Sequence, residues 1–437
     1  MANARKEAVK ALMKIEIDGG YSNIVVDNLL LETDLDERDK AFATSLIYGV
    51  IERKLTLEYI VSSYSKTPLK KIKPFILYVI YTSLYQIIYM SKVPNSAAVN
   101  EAVKLVRNSK FRNLSGFVNA VLRNFLRDGE IKYPDEKADY LSVKYSVSKD
   151  IVNLFLNQYG DQTEEILKGF FELDGVSIKV NTLKISVEDL KAKLSEQCDV
   201  KTHPLIDEVL VLKGAGSVRN LFGFNQGYFH IQDAASAICA KIVDAKEHDR
   251  VIDVCAAPGG KSFSIAENMG DKGEVLALDL YEHKVELIKK GAERLGLKSV
   301  KSFVNDASEY NSSLCKFNKV LCDLPCSGLG ILGKKPEIRY KNVAFIENLP
   351  ALQYNLLIAS KQYVEIGGNL FYSTCTLNEK ENFSVVDKFL LENKEFEPLP
   401  IGENFEKTKK DRVNTLTLLP HIHKTDGFFI SAFKRVR

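Results

Sequence analysis

Apolar residues recur three and four positions apart through "ARKEAVKALMKI", "ERDKAFATSLIYGVIERKLTLEYIVSSY", "NSAAVNEAVKLVR" and "SGFVNAVLRNFLR", and Pro68, Pro74 and Pro94 punctuate the runs. This period predicts an all-α bundle over residues 1–128. The block "FILYVIYTSLYQIIYM", Phe75 to Met90, is apolar nearly all round but short for a membrane span, and it carries Thr82, Ser83 and Gln86. It predicts a helix buried on most sides. Residues 129–169 are polar and mixed, as suits a helical linker. Within 170–230, "VSIKVNTLKISVEDLKAKLSEQ" alternates as a strand and then shifts to helix period, with Ser186 as N-cap; "DEVLVLKG" is a second strand. A small α+β module is expected there.

From 231 to 437 the pattern becomes regular. Strand candidates "RVIDV", "EVLALD", "VKSFVN", "KVLCD" and "NLFYST" are separated by helices such as "HKVELIKKGAERLG" and "AFIENLPALQYNLLIASKQYV". Alternation of this kind predicts a mostly parallel, doubly wound α/β sheet with its site at the carboxyl ends of the strands. "TLTLLPHI" and "DGFFISAFKR" predict a strand pair closing the sheet. The fold class is therefore multidomain: a helical bundle, a small α+β module and a Rossmann-like α/β domain.

Seven cysteines, with no Cys-x-x-Cys pair and no Cys/His cluster, argue against a disulfide scaffold and against a structural zinc site. The start, "MANARKEAVKALMKIEI", lacks the apolar stretch of a signal peptide. A cytoplasmic protein without a membrane or a bound metal is expected. The net charge of +3 says little as a total, but its distribution is informative: Lys40 to Arg127 hold 14 Lys and Arg against Glu52, Glu58 and Glu101. Such an excess favours a polyanionic partner.

The loop "CAAPGGKS", Cys255 to Ser262, ends like a phosphate-binding loop, yet Cys255 stands where that loop requires its first glycine. The dinucleotide fingerprint fails as well, because Gly259 and Gly260 are adjacent. What remains is a tight strand-to-helix turn that brings backbone close to a ligand. Asp279 ends the next strand, where a carboxylate suits a ribose diol, and Asp306 ends the one after, where it can meet an adenine amino group. The set describes an adenosine ligand with little phosphate charge, and S-adenosylmethionine fits.

Two more loops follow strands of the same sheet, "DLPCSGLG" and "STCTLNEKEN", each with a cysteine at the ligand edge. Carbon 5 of cytosine is too weak a nucleophile to take a methyl group until a thiolate adds at carbon 6, so covalent catalysis by cysteine answers a chemical need. "TCTLNEKEN" running into a helix would place helix amides near Cys375 and lower its pKa. Asp323 is placed to hydrogen-bond near ring nitrogen 3. Glu379 and Glu381 are read as favouring a helix N-terminus through its dipole. These arguments do not rank Cys326 against Cys375, since a Pro-Cys loop is the nucleophile in DNA cytosine-5 methyltransferases.

"DVCAAPGGKS", "DLPCSGLGILGKKPEIRY", "YSTCTLNEKEN" and "LLPHIHKTDGFFISAFKR" resemble, in order, the motifs of the RNA cytosine-5 methyltransferases. "RDKAFATSLIYGVIERK", "VPNSAAVNEAVKL" and "GFVNAVLRN" resemble the NusB family of RNA-binding domains, and 170–230 resembles the ferredoxin-like module that precedes the catalytic domain in these enzymes. The whole chain is similar to the bacterial members that act on 16S ribosomal RNA. The resemblance implies that Cys255, Ala256, Ala257, Pro258, Gly259, Gly260 and Lys261 form the methyl-donor loop and that Asp279, Asp306 and Asp323 contact S-adenosylmethionine. It further implies Cys375 as nucleophile and Cys326 as the group that assists release of the methylated base. Lys261 is expected to pair with the donor carboxylate or a nearby Asp. Leu324, where the family more often has Ala, is expected to crowd the flipped base. "GKKPEIRYK", Gly333 to Lys341, and the basic stretch would contact RNA, with Tyr340 for stacking. Competing readings are a transfer RNA or DNA cytosine-5 methyltransferase and an RNA-binding factor with a silent methyltransferase fold. Intact Cys326, Cys375 and the three acids weigh against the last.

Overall fold

The computed structural model describes residues 3–18, 25–26, 28, 32–173, 175–402 and 405–437. The chain divides into two compact units, one of residues 1–156 with 339–342 and one of 157–338 with 343–437.

The first unit is helical, as the period predicts. Asp36 caps the helix Glu37–Glu52 by accepting from the Asp39 N–H at 2.8 Å. Pro74 opens the helix Pro74–Tyr89, where its missing N–H costs nothing. Ile76, Val79, Ile80, Tyr81 and Leu84 of that helix are almost wholly buried. Its buried polar residues are paired: Thr82 donates to the Tyr78 carbonyl at 2.9 Å, Ser83 to Val79 at 2.8 Å and Gln86 to Thr82 at 2.7 Å, and the Gln86 oxygen accepts from Arg5 Nε at 2.8 Å. An apolar helix with three internal polar groups can therefore sit in a core. A Cβ at Gly49 would lie 2.0 Å from the Tyr85 ring, so a glycine there lets the two helices close.

The short segment Arg339–Asn342 belongs to this unit. Arg339 is fully buried, with Nη2 3.3 Å from Glu52 Oε1, and the Tyr340 hydroxyl donates to the Ile51 carbonyl. These contacts overturn the expectation that Arg339 and Tyr340 meet RNA. Both side chains are committed to the core, a role that a basic, aromatic run does not advertise.

In the second unit, strands β1 (Val176–Val180), β2 (Asp199–His203), β3 (Ile206–Lys213) and β4 (Phe229–Ile231) form an antiparallel sheet in the order β2-β3-β1-β4. Ser186 caps the helix Val187–Ser195, accepting from the Asp189 N–H at 3.1 Å. Ile178, Val180, Leu190, Leu194, Leu210 and Phe229 form the core of this module.

The larger sheet comprises β5 (Arg250–Asp253), β6 (Glu274–Asp279), β7 (Val300–Val304), β8 (Phe317–Asp323), β9 (Val364–Thr374), β10 (Phe396–Pro398), β11 (Thr415–Leu418) and β12 (Phe428–Arg435). Its path is β10-β12-β9-β8-β5-β6-β7, with β11 beside β12. The run from β9 to β7 is parallel and the pairings of β12 are antiparallel, which is the expected closing pair. Strand order reverses between β5 and β8, so a crevice opens at their carboxyl ends. Separate buried clusters cover the sheet's faces, one around Ile238, Ile265 and Ile288 and one around Leu357, Val386 and Phe389. The expected long helix before β9 is instead a 3-10 turn, Val343–Ile346, followed by the helix Leu349–Ser360, because Pro350 can occupy only a first turn. Among the described residues no helix is long and apolar enough to cross a membrane.

Candidate active site

The loop after β5 is tied to both flanking strands. Val254 N–H donates to the Leu321 carbonyl at 3.1 Å and Ala256 N–H to Leu278 at 2.7 Å. Gly259 has φ +108°, and a Cβ there would lie 2.3 Å from the Phe263 ring, so backbone and space both require glycine. The Ala257–Pro258 bond is cis. Helix Gly260–Asn268 starts immediately. Asp253 is buried beneath the loop, accepts from Ser262 at 2.7 Å, and has one carboxyl oxygen without a partner. Burial pushes its pKa up to about 7.

Asp279 and Asp323 are the last residues of β6 and β8, and Asp306 lies two residues past β7. Because β7, β6, β5 and β8 are neighbours, all three acids stand along one edge. Asp279 is buried and accepts from the Tyr281 N–H at 3.2 Å, with Lys284 Nζ 3.7 Å away. Asp306 is exposed, and the Ser308 N–H and hydroxyl, at 2.9 and 2.7 Å, hold its carboxyl below the usual range. Lys261 Nζ donates to Asp323 Oδ2 at 2.7 Å, while Ser373 donates to Oδ1 at 2.8 Å. Burial, the largest single influence, works to lower the Lys261 pKa, but the charge and hydrogen bond of Asp323 together with the nearby Cys239 and Asp253 turn the net direction up. Of the two expected partners for Lys261, the structure contains the Asp.

Cys326 and Cys375, on the loops after β8 and β9, bring their sulfurs to 3.1 Å. The hydrogen bond with Cys375, then burial and the negative charge of Glu381, raise the Cys326 pKa well above the ordinary thiol value. Either sulfur can donate to the other across this contact. Behind Cys375 the backbone is tightly crossed: Gly330 N–H donates to the Cys375 carbonyl at 3.0 Å, and Gly427 N–H to the Gly330 carbonyl at 2.7 Å. A Cβ on Gly330 would lie 1.8 Å from the Gly427 oxygen.

Both cysteine loops converge on Glu381, which is fully buried. Its Oε2 accepts from the Ser327 N–H at 2.9 Å and from Gln353 Nε2 at 3.0 Å; its Oε1 accepts from Asn378 Nδ2 at 3.0 Å. The same amide of Gln353 reaches the Pro325 carbonyl at 3.0 Å, and the Ser327 and Thr376 hydroxyls meet at 2.7 Å. Among the described residues no group of three His, Cys, Asp or Glu side chains is arranged to hold a metal ion.

Three family models match: 16S rRNA methyltransferase RsmB/F over residues 240–434, the NusB family over 2–127, and the RsmF/B-like ferredoxin-like domain over 150–219. The probable ribosomal RNA small subunit methyltransferase B of Bacillus subtilis is 33% identical, with 99% of each chain covered. That of Synechocystis is also 33% identical, over 100% of both. The chain belongs to the RsmB/F family of 16S rRNA methyltransferases. The solved structure of NSun6 from Pyrococcus horikoshii with SFG shares its fold, at 24% identity and a TM-score of 0.59 over 66% of this chain and 98% of that one.

Against the motifs of the RsmB/F family, four sequence expectations need correction. Leu324 does not face the site; it is buried in the core cluster with Ile252, Val254 and Tyr354. The helix after Cys375 begins only at Phe383, eight residues on, too far for its amides to act on the thiol. Glu381 is no dipole partner but the buried junction of both loops, whereas Glu379 pairs with Lys410. Sequence reasoning missed this junction. Its one local signal is the run Thr376, Asn378, Glu381 and Asn382 directly after a strand end, polar types that are buried only when paired. Lys334, expected to contact RNA, is held between Asp233 and Asp426 at 2.5 and 2.8 Å.

Proposed function

We propose that this enzyme methylates carbon 5 of a cytidine in 16S ribosomal RNA, with Cys375 adding at carbon 6. The observation that carries the reading is the 3.1 Å approach of Cys326 and Cys375 at the carboxyl edge that also holds the Lys261–Asp323 pair. A single thiol suffices for most covalent chemistry; two in contact fit a reaction that must both form and release an adduct.

S-adenosylmethionine, when bound, supplies an electrophilic methyl group. Cys255 to Lys261, with Asp279, Asp306 and Asp323, are the residues we assign to hold it. The donor set suits it: a glycine turn without room for a side chain, a carboxylate for the ribose hydroxyls and an exposed one for the adenine amino group. The assignment of Cys375 as the adding sulfur and Cys326 as its helper follows the order that the family resemblance implies, and their contact supports two thiols acting on one base. After methylation the proton on carbon 5 leaves to a base or to solvent as the bond between carbon 6 and Cys375 breaks and returns a thiolate, and Cys326, in contact with that sulfur, assists this elimination. As Cys375 adds at carbon 6, ring nitrogen 3 takes a proton from solvent and Asp323 accepts its N–H, while the Lys261 ammonium beside it offsets the carboxylate charge. The target base must be unstacked for a thiol to reach it. The NusB-family and ferredoxin-like segments, assigned to 1–128 and 170–230 around a linker, bind the RNA, and the catalytic domain occupies 231–437. Such a substrate places the enzyme in the cytoplasm.

The test separates the cysteines. Cys326→Ala should accumulate a covalent RNA adduct and Cys375→Ala should form none. The reverse result would assign the nucleophile to the Pro-Cys loop, and no release of tritium from carbon 5 by the native enzyme would reject the chemistry altogether.

A further inference from the structure

Within the helical unit, a cleft of about 570 Å³ opens between the helices Asn95–Arg107 and Ser115–Asp128. Asn100, Lys104 and Arg107 line it from the first helix, and Gly116, Asn119 and Arg123 from the second. Every charged residue of the lining is a cation. Among the described residues Lys104 pairs with Glu101 at 3.7 Å, and Arg123 donates to the Asn119 amide oxygen at 2.9 Å. Among the described residues Arg107 has no carboxylate partner.

The helix dipole accounts for part of this. Lys104 and Arg107 lie in the last turn of their helix, where cations are favoured. It does not account for the opposite wall. Arg123 lies in the middle of the helix Ser115–Asp128, away from both terminal turns, so the dipole gives no reason for a cation there. Both walls therefore add positive charge to one space, and among the described residues the lining of the cleft holds no carboxylate. A Cβ on Gly116 would meet nothing within 4 Å, so the floor is open to a ligand.

We infer that this cleft is a binding site for the sugar-phosphate backbone of RNA, two to three nucleotides long by its cation number. Phosphate oxygens match the guanidinium forks of Arg107 and Arg123. The amides of Asn100 and Asn119 both donate and accept, as a 2′-hydroxyl requires. A lipid surface would call for apolar side chains at the rim, and an acidic protein would not use the amides. The inference rests on RNA being the substrate and locates its grip at a defined place rather than along the whole basic stretch.

The experiment compares Arg107→Ala/Arg123→Ala with Lys70→Ala/Lys71→Ala, an exposed pair elsewhere in the same stretch, in the full-length enzyme. For the cleft variant, KM for a 16S transcript should rise roughly tenfold or more with kcat retained. The slope of log affinity on log salt should fall by about 2, one phosphate per arginine. Binding of S-adenosylmethionine by calorimetry should not change, and Arg107→Lys/Arg123→Lys should recover the salt slope. Equal effects of the two alanine variants would mean diffuse attraction and overturn the inference. So would displacement of transcript from the native enzyme by polyglutamate or anionic vesicles as readily as by unrelated RNA. If the native enzyme releases no tritium from carbon 5 but retains RNA on filters, the catalytic reading fails while the cleft is still tested by retention.

Discussion

Replacing Glu381 with alanine tests whether a buried carboxylate sets the spacing of the two thiols. Three donors lose their acceptor: Ser327 N–H, one residue past Cys326, Asn378 Nδ2, three past Cys375, and Gln353 Nε2. A hydrogen bond to a charged group is worth about 1.5–3 kcal/mol, and a buried donor left unsatisfied costs about 1–3 kcal/mol. Gln353 keeps the Pro325 carbonyl and falls at the low end. The sum is on the order of 4 kcal/mol, which the loops can reduce only by moving apart. A displacement of 1 Å at reacting groups costs roughly 100-fold in rate. The expected outcome for Glu381→Ala is a clear drop in melting temperature and a kcat about 100-fold lower in a tritium-release assay, with little change in affinity for S-adenosylmethionine, whose loop follows β5. Glu381→Gln keeps one acceptor and should recover part of both losses. A Glu381→Ala enzyme that melts like the native protein and retains kcat within threefold would refute the reasoning.

Asp253 gives a pH dependence with a definite sign. Its folded pKa, about 7, is raised above the unfolded value near 4, so the folded state alone holds the proton between them. The stability it contributes is complete below about pH 4 and is lost as pH rises to about 7, a change on the order of 4 kcal/mol. Asp253→Asn should flatten that part of the stability-against-pH curve in urea titrations. Lys261→Met leaves Asp323 beside a buried void of charge and should destabilise by about 3 kcal/mol or more; adding Asp323→Asn should restore stability but not turnover. Gly330→Ala forces a Cβ to within 1.8 Å of the Gly427 oxygen, so it should lower the yield of folded protein and change the rate at which Cys375 is alkylated. In the native enzyme, RNA retention should weaken steeply between 50 and 200 mM salt, as filter binding would record; a flat response would remove the electrostatic argument.

Much of this architecture was legible because its signals are local. Period identified the helices of the first unit, and apolar runs ending in Asp279 and Asp323 marked both the strands and the edge where the site lies. The strands β4 and β10, Phe229–Ile231 and Phe396–Pro398, have too few residues to show alternation. Glu381 escaped because its partners, Ser327 and Gln353, lie 54 and 28 residues away, and neither charge nor spacing near Glu381 reveals that a loop folds over it. Arg339 and Tyr340 misled for the opposite reason. A cation and a ring in a loop suit a nucleic-acid contact, and only the fold puts them in a core beside Glu52 and Ile51.

That detour of Arg339–Asn342 into the helical unit constrains how the protein can be taken apart. A fragment ending at Leu156 would carry Glu52 without its guanidinium and the Ile51 carbonyl without its phenol. Transplanting these helices onto a foreign catalytic half therefore needs a four-residue graft as well as one splice, and a single crossover between distant relatives would have to carry compatible residues on both sides of it.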